Sequence, residues 1–472
     1  MGAGAEDRNR LRGPSGSTAS PDPGHAGVGS QMSFHNLSNS EVPNSLAGEN
    51  PKTLTFADQF ALWSSLGITL TIPAAALFIQ QPLGTSDFSF TASLVALALG
   101  LLLGSAVLGG IAHIGARVGV PAMVMMRGVF GRRISYVPTI FNIAQCVGWS
   151  AVEILVIGHA GEKVIGGRLA FWLIGAGVVS TLLALRPIKF IKVLRKYILW
   201  AVILTTIYLF IEVLSHGVEI KSGSSWSGFW LAVDIAVALP ISWAPLVADY
   251  SRHAKQGSFL ATFSGYLAGA GTFFLLGLLA LVTLNGNNLA DVYGFSQAIL
   301  LLPFGGLALL ILIVDEVDEA FANIYSTVAS LQNFNENWSR RRLAYLIGSI
   351  ATILSLLIDV VGYESFLFAI GAIFVPLCGV VLIDWFVISK GKWDLSNTAR
   401  WRPSLAIAWL VGFITYQIIN PGYVAGWSDF WRNAQTLMNF TPQTWMSASL
   451  LAFMVSAVIT LVLNPRSTIL KS

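Results

Sequence analysis

Twelve stretches of this chain are nearly free of charge: 56–80, 92–114, 137–159, 170–185, 198–214, 229–249, 259–284, 304–331, 343–361, 366–388, 405–419 and 445–463. Most approach the roughly 20 residues that a helix needs to cross a hydrocarbon core of about 30 Å. Lipid offers no partner to a backbone N–H or C=O, so a spanning segment satisfies those groups within its own helix or in a closed barrel. No alternating barrel-strand pattern is present. The sequence therefore predicts an all-α polytopic membrane protein of about twelve transmembrane helices. Composition agrees, since 11% of the residues are charged where soluble proteins carry about 25%.

The basic residues give these spans a direction. If the N-terminus is cytoplasmic, 24 of the 28 Lys and Arg residues fall on inside segments, and Lys163, Arg168, Lys221 and Arg432 fall outside. The alternation holds across every loop, as the positive-inside rule requires of twelve spans in a cell membrane with both termini cytoplasmic. This placement explains the formal charge of +4 without a nucleic-acid partner. Residues 1–55 are rich in Gly, Ser, Asn and Pro with little apolar periodicity, and are expected to be a disordered cytoplasmic tail. They show no cleaved signal peptide, and Met32 is an alternative start. Residues 56–390 hold ten spans and 391–472 two more. Cys146 and Cys378 lie in apolar runs and read as small buried side chains. The sequence sets no oligomeric state.

Two spans break the membrane pattern. The first reads Ser64-Ser65-Leu66-Gly67-Ile68-Thr69-Leu70-Thr71-Ile72-Pro73, and the sixth Leu239-Pro240-Ile241-Ser242-Trp243-Ala244-Pro245. Proline removes a backbone hydrogen bond and glycine weakens a helix. Either these residues kink packed helices, or they interrupt them at corresponding points of two inverted repeats, where transporters place their sites. Buried acid is the second departure. Span 8 carries Asp315, Glu316, Asp318 and Glu319, with Asn323 one turn further on the face of Asp315 and Glu319. Span 3 carries Glu153 one turn after Trp149. No Lys or Arg lies mid-span to neutralise them, so they hold protons, bind a cation or face water. Asp234, Glu212 and Asp384 lie nearer helix ends and read as interfacial. No HExxH, GxSxG elbow or phosphate-binding glycine loop is present, so no catalytic residue is proposed and no enzyme is expected.

Four segments in order, Gly148-Trp149-Ser150-Ala151-Val152-Glu153, Ala248-Asp249-Tyr250-Ser251-Arg252, Asn323-Ile324-Tyr325-Ser326 and Phe374-Val375-Pro376-Leu377, resemble the nucleobase:cation symporter-1 family, in particular its purine-cytosine permease branch. The resemblance runs from about Phe56 to the C-terminus. It implies a leucine-transporter-like fold of two inverted five-helix repeats plus two helices. It also implies symport of a nucleobase, allantoin, a hydantoin or hydroxymethylpyrimidine with a proton or sodium ion, and no other cofactor. Trp149 would stack on the ring, Glu153 would bond its polar edge, and Asn323 and Ser242 would add polar contacts. Gly67 and Leu70 would offer carbonyls to the coupling cation opposite Asp315, Asp318 and Glu319. Independently of the resemblance, Asp249 and Arg252 at the inner mouth are read either as a pair in the cytoplasmic gate or as a plain surface ion pair. Two departures from the family pattern stand out. Pro240 occupies the place of an aromatic, so the second face of the ring sandwich is either missing or supplied by Trp243. Val317-Asp318 replaces the Ser-Thr pair of sodium-coupled relatives, which favours a proton on Asp318 or a neighbour, although a carboxylate also suits sodium.

Overall fold

The computed structural model describes residues 41–464 except 47, 49, 85–86, 218–222, 284–292 and 360–361. The described residues belong to one compact unit that begins at Ser40. Residues 1–40, and with them Met32, lie outside the described residues, as do the ends of the seventh and ninth predicted spans.

Each of the twelve apolar segments contains helix, and the first and sixth are interrupted. The helices in order are α1 (Phe56–Ser65), α2 (Ile72–Gln80), α3 (Phe90–Val118), α4 (Ala122–Phe130), α5 (Arg132–Ile165), α6 (Leu169–Ala184), α7 (Pro187–Val193), α8 (Leu199–Ser215) and α9 (Phe229–Trp243). There follow α10 (Ala248–Ser251), α11 (Ser258–Thr283), α12 (Gly294–Leu300), α13 (Gly305–Leu331), α14 (Arg340–Leu357), α15 (Tyr363–Ile383), α16 (Pro403–Ile419), α17 (Trp427–Leu437) and α18 (Ala448–Leu463). A π-turn, Leu194–Ile198, joins α7 to α8, and another, Asp384–Ile388, extends α15.

Six segments are long and apolar enough to cross a membrane by length and composition: Phe90–Val118, Arg132–Ile165, Pro187–Ser215, Phe229–Ser251, Ser258–Thr283 and Tyr363–Ile388. Leu169–Ala184, Pro403–Ile419 and Ala448–Leu463 are shorter apolar helices. The first predicted span misses that length because it is two helices, and α13 carries four acids. Large apolar side chains such as Phe171, Leu204, Ile211 and Leu307 are exposed on the outside of the bundle, which is how a protein solvated by lipid distributes them. The chain is a multi-pass membrane protein.

The fourth and ninth predicted spans cross in a reciprocal way. A Cβ on Gly177 of α6 would lie 1.9 Å from Thr352 Oγ1 of α14, and a Cβ on Gly348 of α14 would lie 1.9 Å from Thr181 Oγ1 of α6. Each helix thus presents a Gly and, one turn later, a Thr to its partner. Small residues let the two backbones approach, and the matching pairs fall on the fourth helix of each expected five-helix repeat.

Described residues between 41 and 55, within the stretch expected to be a disordered tail, carry hydrogen bonds to helix ends. Glu41 accepts hydrogen bonds from the Ile188 and Lys189 amides at the start of α7 (3.1 and 3.2 Å). Arg340 donates to the carbonyls of Val42 and Pro43, and to those of Ala184 and Leu185 at the end of α6. Asn50 and Lys52 donate to Gly119 and Ala116 carbonyls at the end of α3 (2.7 and 2.9 Å). Lone backbone C=O groups at helix ends need donors, and this segment supplies them without apolar periodicity.

Candidate functional site

Both suspect helices are broken. Between α1 and α2 the stretch from Leu66 to Thr71 leaves the helical path, with Pro73 in the first turn of α2, where its missing N–H costs nothing. A Cβ on Gly67 would fall 2.6 Å from the Ala270 amide nitrogen, and one on Gly269 would fall 2.0 Å from the Ser64 carbonyl oxygen. Two glycines therefore let α11 press against the end of α1. In the sixth span α9 continues through Pro240 and stops at Trp243; residues 244–247 then form turns before α10. The break lies later than the first proline suggests.

An unwound stretch leaves backbone and hydroxyl groups that need partners, and α13 provides them. Glu316 accepts from Thr69 Oγ1 (2.6 Å) and from the Leu70 amide (3.0 Å). Its carboxylate thereby sits near the N-terminus of α2, where the helix dipole favours negative charge. One turn away on the other side of the break, Ser65 Oγ donates to Asp315 Oδ1 at 2.5 Å. Leu70 thus contributes an amide to a carboxylate here, and Gly67 contributes close packing.

A small cavity of about 10 Å³, room for about one water, lies between these elements. Leu66, Thr69 and Thr71 line it from the first break, and Leu239, Ser242 and Trp243 from the second. Trp149 of α5, Tyr266 of α11 and Glu319 and Asn323 of α13 complete the wall. Of the five residues expected to hold substrate, four meet here: Trp149, Ser242, Trp243 and Asn323. The Trp149 ring is set edge-on to Tyr363 (centroids 6.0 Å, 82°) and tilted against Phe366 (5.2 Å). Trp243 is edge-on to Trp63 (6.1 Å, 82°). Ser242 Oγ donates to the Leu239 carbonyl (2.6 Å), and Asn323 Nδ2 to the Glu319 carbonyl (3.0 Å).

Glu153, the fifth, is absent from the cavity wall. Its side chain is fully buried beside Glu319, and carboxylate oxygens of Glu153, Glu316 and Glu319 all lie within 4.8 Å of one another. No N–H or hydroxyl donates to either oxygen of Glu153. Asp318 also accepts nothing on either oxygen, and Asp315 Oδ2 and Glu319 Oε1 are unmatched. The acid facing the cavity is thus Glu319, which sequence reasoning placed with the cation. Glu316, Thr69, Thr71 and Tyr266 were not among the expected site residues. The Thr-x-Thr spacing in the broken stretch was a readable signal for two of them; Tyr266 gave none.

The Asp249 and Arg252 side chains, expected to pair, have other partners. Asp249 Oδ1 accepts from the Ala122 amide at the start of α4 (2.9 Å), so its carboxylate caps that helix. Arg252 donates to the Asp249 main-chain carbonyl (3.3 Å) and to the Tyr325 hydroxyl (2.8 Å). Both residues are buried. Asp234 and Asp384 are structural. Asp234 accepts from Ser447 Oγ and from the Ala448 and Ser449 amides at the start of α18, while Asp384 pairs with Arg402 and takes the Trp393 indole N–H.

Residues 51–405 match the family described as permease for cytosine/purines, uracil, thiamine, allantoin. The chain is 22% identical over 366 residues to the putative purine-cytosine permease YxlA of Bacillus subtilis (strain 168), covering 72% of this chain and 77% of the relative. It is 23% identical over 418 residues to the cytosine permease of Escherichia coli (strain K12), covering 82% and 94%. Its fold is similar to that of Mhp1, a nucleobase-cation-symport-1 family transporter solved in a closed conformation with bromovinylhydantoin bound. The TM-score is 0.69, at 14% identity over 90% of this chain and 96% of Mhp1. With a matching family over most of its length and a leucine-transporter-like helix plan broken at its first and sixth spans, the chain belongs to the nucleobase:cation symporter-1 family, on its purine-cytosine permease branch.

Proposed function

We propose that this protein is a secondary active symporter that imports a nucleobase or related planar heterocycle, held in the cavity between the two helix breaks. The observation that carries the reading is the convergence of Trp149, Trp243 and Asn323 on one small space at those breaks. A flat polar ring wants aromatic surface and a few fixed polar groups. At about 10 Å³ the space is too small for a ring, so binding requires the walls to part. The conformation corresponds to a closed stage of a cycle in which one group of helices rocks against another. The carried solute belongs to the cytosine or purine type, with hydroxymethylpyrimidine or allantoin as the next candidates.

The coupling ion, a proton or sodium, acts in this proposal beside the first break. Asp315 is held by Ser65, and Asp318 lies on the same helix with both oxygens free of donors. A carboxylate buried without a donor or a base takes up a cation or proton readily. Such uptake would join α1 to α13, one way for an ion to favour closure. Both chain ends lie in the cytoplasm in this reading, with the basic helix ends and the 41–55 segment on the inner face.

The test is uptake of labelled cytosine, adenine, hypoxanthine, uracil, allantoin and hydroxymethylpyrimidine by vesicles containing the protein, with sodium and proton gradients imposed separately. Accumulation of at least one under one gradient is expected. No accumulation of any under either gradient would contradict the proposal.

A further inference from the structure

The fifth span turns one continuous stripe to the outside of the bundle, and the stripe changes character along its length. Pro187–Ser215 runs for 29 residues, roughly 43 Å at about 1.5 Å per residue, so it reaches beyond a hydrocarbon core of about 30 Å. Ile211, Ile207, Leu204 and Trp200 are exposed at steps of three or four residues. The same step continues through Lys196, Lys192 and Lys189, each of them exposed. Ile188, Ile191 and Leu194 are buried against the bundle, which fixes the lysines on the outward side. Trp and Tyr favour the headgroup level, and lysine heads just past them reach the phosphates. The Lys196 ammonium lies over the exposed Tyr197 ring, 4.9 Å from its centroid, which ties the charge to that level. Among the described residues the neighbouring acids have other partners: Asp58 pairs with Arg195 at 3.2 Å, and Glu41 accepts the Ile188 and Lys189 amides. Among those residues no carboxylate forms an ion pair with the three lysines. Arg340 fastens the start of α14 to the Ala184 and Leu185 carbonyls just before α7, so the exposed Arg341 and Arg342 bring further charge to this edge.

We infer that this edge, Lys189, Lys192 and Lys196 with Arg341 and Arg342 beside them, is a docking surface for the headgroups of anionic phospholipids. The positive-inside rule sets the side on which basic residues fall; it does not put three of them in register with a lipid-facing stripe. That register makes the partner a lipid, because a headgroup is the group that meets the stripe where its apolar part ends. Clusters of about four to eight Lys and Arg next to a span attract anionic lipid. An ammonium is a point charge with three rotatable donors, so a row of them on a convex helix selects headgroup charge and not headgroup shape. The bound lipid would lie against α7, to whose start Glu41 fastens the segment before α1.

The test uses the purified full chain in a neutral detergent, offered equal amounts of phosphatidylglycerol and phosphatidylcholine with matched acyl chains, and counts retained lipids by native mass spectrometry. Phosphatidylglycerol is expected to be retained over phosphatidylcholine by about fivefold or more. Lys189→Gln, Lys192→Gln and Lys196→Gln together are expected to bring that ratio toward one. Lys390→Gln, Lys392→Gln and Arg400→Gln together remove the same charge from the connection between α15 and α16, and are expected to keep it. Equal retention of the two lipids by the wild type would overturn the inference, and that comparison needs no variant. A ratio lowered equally by both triple substitutions would also overturn it, since the attraction would then belong to the whole charged face. A ratio abolished by inorganic phosphate, but not by chloride at the same ionic strength, would assign the cations to a free anion and overturn the lipid reading. None of these outcomes depends on which solute the protein carries.

Discussion

Asp318 is buried on α13 with no donor on either oxygen, whereas Glu316, two residues earlier, is fully engaged by the first break. Neighbouring acids on one helix thus have different work. Asp318→Asn removes the charge while keeping the shape. It is expected to leave exchange of labelled solute across vesicles within about threefold of wild type, and to reduce gradient-driven accumulation by about tenfold or more, if coupling depends on this acid. Accumulation at the wild-type level would take Asp318 out of the coupling step. These residues were legible as a group, since acids in an apolar span announce themselves. Their division of labour was not, because it depends on where the broken first span passes α13. Glu153 illustrates the same limit: the family resemblance implied a place on the ring, yet it is off the cavity wall, with a carboxyl oxygen within 4.8 Å of Glu316 and Glu319.

At the scale of helices, the first break is held open by a side chain from another element. Glu316→Ala would leave the Leu70 amide and the Thr69 hydroxyl without their acceptor, a loss of about 1–3 kcal/mol. Thermal unfolding in detergent should show a lower midpoint for Glu316→Ala than for Glu316→Gln, whose amide oxygen can still accept one of the two hydrogen bonds. Equal midpoints for Ala and wild type would mean that the carboxylate does not stabilise the break. The breaks themselves were visible as Gly67, Pro73, Pro240 and Pro245. The helix α9 nevertheless passes through Pro240 and ends at Trp243, so proline marked the neighbourhood and not the residue. Among the described residues four short helices, α4, α7, α12 and α17, lie outside the predicted spans, because apolar length was the signal and they fall below it. The Asp249 and Arg252 pairing was suggested by their place at the inner mouth, and Asp249 instead accepts from the amide at the start of α4.

Across the whole molecule, the twelve apolar segments were readable because lipid imposes length and composition on every span. The fastening of residues 41–55 was not, because its contacts are main-chain carbonyls and amides that composition does not reveal. One of them titrates. His253 Nδ1 donates to the Pro51 carbonyl at 3.0 Å, and burial, with Arg252 beside it, holds the imidazole well below its ordinary value. The folded protein therefore binds this proton less readily than the unfolded chain. The stability is complete above the ordinary value of about 6.5 and is lost progressively as pH falls below it. Between pH 7 and pH 5 the wild-type unfolding midpoint should fall further than that of His253→Asn; parallel curves would show that this group does not set the slope.

The central claim is that the heterocycle lies against Trp149 in the cavity between the breaks, and counterflow measures that without depending on the coupling ion. Vesicles preloaded with the transported base, once identified, are placed in labelled base, and exchange is followed for wild type, Trp149→Phe and Trp149→Ala. The account predicts that Phe keeps most of the exchange and that Ala, which removes the aromatic face, raises the half-saturating concentration about tenfold or more. Exchange by a folded Trp149→Ala protein with wild-type affinity would contradict it.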